Sequence, residues 1–155
     1  MASFVSNLIE YSGIADVLPI APHAFKQFNV QKNVCLPIAK PDIEQLTKIM
    51  AEVVIISTRV IKTPVATSLE GQILTGFKLI VEGEVRQKVE YVADEPTQTV
   101  HAAHFNIPFS TFIVLPATYV QDTPLVVTGY IEDIYAKQID ERCIFKNITI
   151  LLTAD

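Results

Sequence analysis

Residues 78–91, KLIVEGEVRQKVEY, decide the fold. Leu79, Val81, Val85, Val89 and Tyr91 alternate with Lys78, Glu82, Glu84, Arg86, Lys88 and Glu90. Side chains on a strand point to opposite faces in turn, so this spacing describes a strand with one buried and one wetted face. Gly83 falls on the apolar side, where a missing side chain marks a bulge or a close backbone approach. The strand lies within Leu69–Val92, and ADEPT (93–97) follows as a turn punctuated by Pro96.

The same signal extends in both directions. Upstream, Val53–Lys62 (VVIISTRVIK) is rich in β-branched residues and reads as a strand, with Pro64 arguing against a long extension. Phe25–Leu36 reads as an earlier strand closed by Pro37. Downstream, Thr99–Ile107 is a strand that Pro108 interrupts and Phe109–Leu115 continues. Leu125–Gln138 and Cys143–Leu152 form a last pair, with Asp140 and Glu141 in the connecting loop. One segment breaks the pattern. In KPDIEQLTKIMAE (40–52), Asp42 and Gln45 have the form of a capping box, and Ile43, Leu46, Ile49 and Met50 follow at helical spacing. A short helix at about 42–50, laid on a sheet, is predicted.

Seven or so strands in hairpin order, with that helix, predict a mainly β domain: an antiparallel β-sandwich or barrel-like fold. The β domain is assigned to residues 25–155 and an N-terminal arm to residues 1–24. The arm carries Phe4, Val5, Leu8, Ile9, Ile14, Val17 and Leu18 among Pro19 and Pro22, so it is not a polar disordered tail. It packs either on its own domain or on a neighbour. In the second case Phe4, Val5, Leu8 and Ile9 are the candidate interface.

Composition narrows the function. A chain of 155 residues with 50% hydrophobic content builds one domain with a sizeable core. Its 12 basic and 17 acidic residues give a net charge of −5, which suits no nucleic-acid backbone. No apolar run reaches the roughly 18 residues of a membrane span, and MASFVSNLIEYSG has neither the basic start nor the long apolar run of a secretory signal. Cytoplasmic synthesis is expected, with residence there or delivery to a surface by a route other than secretion.

No catalytic constellation emerges. His101 and His104 are three apart, which on a strand puts them on opposite faces and unsuits them to a shared metal. His23 stands alone. Glu132 and Asp133 are adjacent and point apart, and Asp94 and Glu95 belong to a turn. There is no G-x-S-x-G elbow and no Gly-rich phosphate loop among the five glycines. No enzyme activity, metal or cofactor is expected. Arg142 reads as one half of an edge ion pair or as a partner contact. Cys35 and Cys143 read first as two buried small apolar residues; a bridge from an early to a late strand and a link between subunits stay open. Tyr119, Tyr130 and Tyr135 could line a small-molecule or glycan site, which is the alternative to a structural role.

The run VEGEVRQKVEYVADEPTQTVHAAHFNIPFSTFIVLP (81–116), with GYIEDIYAKQ (129–138) and RCIFKNITILL (142–152), resembles the SPOCS domain family of spore coat and exosporium proteins. The resemblance covers roughly residues 25–153. The family includes the morphogenetic protein SipL and a self-assembling clostridial exosporium protein. The resemblance implies a non-enzymatic β domain that assembles layers around spores by binding partners or its own copies. It also implies synthesis in the sporulating mother cell and a place in the coat or exosporium. Unlike SipL, this sequence shows no peptidoglycan-binding LysM module beside the domain. Self-assembly into a homo-oligomer, layer or fibre is therefore the expectation, with other spore coat proteins as further partners.

Overall fold

A computed structural model describes residues 2–6 and 8–155, with side chains from Leu8 onward. Eight strands follow one another: β1 (Ala2–Ser6), β2 (Ile9–Ile14), β3 (Ala24–Cys35), β4 (Ile43–Thr67), β5 (Ile73–Ala93), β6 (Val100–Val114), β7 (Val127–Gln138) and β8 (Cys143–Ala154). They form a five-stranded sheet in the order β1-β2-β4-β5-β6 and a three-stranded sheet in the order β3-β8-β7. β7 packs over β4 and β2, and β3 over β6, so the layers make a sandwich and the barrel does not close. All pairs are antiparallel except β2 with β4.

The alternation in residues 78–91 sets the core. Leu79, Val81, Val85, Val89 and Tyr91 are buried on the inner face of β5. Ile144, Ile148, Ile150 and Leu152 come from β8, which is central in the other sheet. Gly83 is a close-approach glycine. A Cβ there would lie 2.6 Å from the Val54 carbonyl oxygen and 2.7 Å from the Phe109 ring.

The predicted helix at 42–50 is not present; the segment is the first third of β4. Its spacing of three has a β explanation. The β4–β5 register shifts between Ile43 and Gln45 and again between Leu46 and Lys48. Each shift inserts one extra residue, so residues three apart return to the same face. Ile43, Leu46 and Ile49 are accordingly all buried, as a helical stripe would be. Asp42 and Gln45 cap no helix: Asp42 pairs with Arg142, and the Gln45 side-chain amide donates to the Leu46 carbonyl.

The two prolines that were expected to stop strands do not. β4 runs past Pro64 to Thr67 through another register shift between Lys62 and Val65. Pro108 sits inside β6, the outermost strand of its sheet, where a missing N–H removes no ladder bond on the open side.

The first reading of the cysteines is also corrected: Cys35 and Cys143 form a disulfide, and the described residues include no free cysteine. They are direct partners in the β3–β8 ladder. Val34 and Leu36 take the buried positions on either side of Cys35, so the alternation turns Cys35 to the exposed face.

Candidate functional site

β4 and β5 outrun the rest of their sheet. β2 pairs with β4 only over Lys48–Met50. At Gly13 the chain takes φ +104°, and an added Cβ would sit 2.0 Å from the Ala51 carbonyl oxygen, so no larger residue passes here. Two residues on, the Ala15 N–H donates to the Ile131 carbonyl of β7 at 2.9 Å. The chain has then left the five-stranded sheet. From Val53 to Thr67, β4 has β5 on one side and, among the described residues, no strand on the other. The β5–β6 ladder begins at Lys78; below it Ile73–Phe77 pair with β4, with Leu115 alone reaching across from the end of β6 to the Phe77 carbonyl and the Thr75 hydroxyl.

The distal hairpin is apolar where it projects. Ile56 is 61% exposed, Val65 80%, Ile73 69% and Leu69, near the tip, fully exposed. The connection from β6 to β7 supports its base, with Tyr119 edge-on to Phe77 at 5.3 Å between ring centres. That connection makes no backbone hydrogen bond to β4 among the described residues. Arg59 and Lys62 form no ion pair with a described residue. The result is a long strand edge that no strand among the described residues pairs with, the geometry that accepts another strand. Nothing local in the sequence marked it, because an edge is defined by which strands fail to pair.

Of the residues proposed as an interface, Phe4 and Val5 belong to β1, and their side chains lie outside the described residues. Leu8 is exposed. Ile9 is buried in the core beside Tyr11 and Ile14 of the same strand. Ile9, facing inward, is not available to a neighbour.

The titratable groups are dispersed. His101 stacks on Tyr91 at 5.9 Å and stands 3.5 Å from the Glu95 carboxylate. His104 is exposed on the other face, as the offset of three required. No three His, Cys, Asp or Glu side chains among the described residues are placed to hold a metal. Glu132 accepts from the Gln27 side-chain amide at 2.7 Å. Asp140 caps the β7–β8 turn by accepting from the Arg142 and Cys143 N–H groups. Arg142 fastens the segment before β4: it pairs with Asp42 at 3.1 Å and donates to the carbonyls of Lys40 and Pro37. Tyr119 packs on Phe77 and Tyr135 on Phe145, each ring taken up by its own neighbour.

One ionisable group escaped the sequence reading. Lys146 is fully buried on β8, with its Nζ 4.6 Å from the Phe105 ring centre and no hydrogen-bond partner among the described residues. Burial in this apolar layer lowers its pKa from 10.5 to about 7. The Gln87 side-chain amide, also buried, is likewise unpartnered. The available signal was the inward parity of Lys146, between Ile144 and Ile148.

The family model described as SipL, SPOCS domain matches residues 42–139. The match covers more than half of the chain, and the chain belongs to that family. Membership places it among sporulation-related proteins. No curated protein and no solved structure matches the chain.

Proposed function

We propose that this chain is a structural, non-enzymatic subunit of a bacterial spore surface layer, coat or exosporium, that works by contacts with its own copies and with other coat proteins. Family membership supports the setting. The observation that carries the mode of action is the long hairpin of β4 and β5, which holds an unpaired edge and exposed apolar side chains outside the sandwich. Exposed apolar area costs about 25 cal/mol per Å² in water, and burying it on a neighbour recovers that free energy. Contacts that repeat head to tail give rings when the rotation closes and filaments when it does not. Antibody labelling of thin sections of sporulating cells tests the setting. Label on the outer layers of the spore is expected; label confined to the mother-cell interior of mature cultures would overturn it.

A further inference from the structure

We infer that the open edge of β4 is a self-recognition site, where two copies pair β4 against β4 antiparallel about a two-fold axis at Val60. This rests on the proposal that the chain associates with its own copies, and it names the surface and the register. Two irregularities interrupt the β4–β5 ladder in the distal half. One extra residue, Ile56, lies between Ile55 and Ser57; another lies between Lys62 and Val65, where Pro64 sits. Ile56 is four residues before Val60 and Pro64 four after. A two-fold at Val60 therefore sets each copy's first irregularity opposite the other's second. The regular stretch Thr58–Lys62 then pairs with itself, and the irregular segments on either side meet each other.

The charges fit the same register. Arg59 faces Ile61 of the other copy, and Lys62 faces Thr58, so no two like charges stand directly opposite. Cations directly opposed would disfavour the pair. Pairing over Ile55–Val65 supplies on the order of ten backbone hydrogen bonds, the number a standard protein interface carries. It also covers Ile61 and the exposed Ile56. The contact is isologous, so it makes a pair; growth into a layer uses a second surface of the chain.

The register makes specific predictions. At the axis Val60 is its own partner, with a cross-strand spacing that a disulfide spans. Because Cys35 and Cys143 are already bonded, Val60→Cys carries the one free thiol among the described residues. Under mild oxidation it is expected to give a band of doubled mass on a non-reducing gel. Ser57→Cys is expected to give none, since its mate lies six residues away, about 20 Å along the strand. Ile61→Lys sets a cation against Arg59 twice per pair and is expected to weaken self-association at least tenfold by light scattering; Ile61→Glu is expected to preserve it. Circular dichroism checks that each variant folds, and the cysteine comparison decides alone if Ile61→Lys does not. If the parent associates but Val60→Cys does not cross-link, or Ser57→Cys cross-links equally, the β4 register is wrong while self-assembly stands. A parent chain that stays monomeric overturns both.

Discussion

Replacing Lys146 with Met gives the sharpest test of the sandwich interior. The Lys146 Nζ has no hydrogen-bond partner among the described residues and meets only the face of the Phe105 ring, so burial favours the neutral amine and lowers the pKa from 10.5 to about 7. Between these values the unfolded chain keeps the proton and the folded chain gives it up. The unfolded state then binds more protons, and stability rises with pH across that window. Below pH 7 the folded chain holds the charge between the sheets, and the penalty is full. Its ceiling is about 5 kcal/mol, at about 1.36 kcal/mol per pKa unit. Met is of similar length and carries no charge, so K146M removes the penalty with little change in packing. Urea unfolding of both proteins from pH 6 to pH 9, followed by far-UV circular dichroism with the disulfide intact, measures the difference. K146M is expected to be the more stable at pH 6 by several kcal/mol. The gap is expected to shrink by up to about 1.4 kcal/mol per pH unit between pH 7 and 9. Parallel stability curves, or a parent more stable at pH 6, would refute the buried amine without a hydrogen-bond partner.

Further outcomes follow from the same structure. Reduction of Cys35–Cys143, which closes a loop of 108 residues, is expected to cost about 2–5 kcal/mol in denaturant unfolding; an unchanged midpoint would count against the bridge. Gly83→Ala forces a methyl group against the Val54 carbonyl and the Phe109 ring and is expected to destabilise by about 1–3 kcal/mol, read as a lowered melting temperature. Deleting residues 2–18 removes the buried Ile9, Tyr11 and Ile14, each contributing about 1.5–3 kcal/mol. Such a chain is expected to lose cooperative unfolding, and a truncated protein with the parent's melting temperature would contradict the placement of β2.

The interior strand β5 of the large sheet was legible because its period is local. Residues 78–91 state their buried face without reference to any partner, and β5 follows them residue for residue. The segment at 43–50 misled for the opposite reason. Bulges turn a strand's period of two into an apparent three, and a bulge depends on the neighbouring strand's register. Pro64 and Pro108 were read as breaks because a proline's cost depends on whether its lost N–H faces a partner. The disulfide was open for a similar reason: Cys35 and Cys143 meet because β3 and β8 pair end to end, 108 residues apart. The open edge of β4 was least visible of all, since VVIISTRVIK reads the same paired or unpaired, and Gly13 is what leads β2 away.

Self-association is tested by light scattering of the purified chain across a concentration series, with negative-stain microscopy of the same samples. A mass that rises with concentration above the 17.2 kDa of one chain is expected, with regular pairs, fibres or sheets on the grid. A monodisperse species of one chain's mass at the highest concentration reached would contradict it.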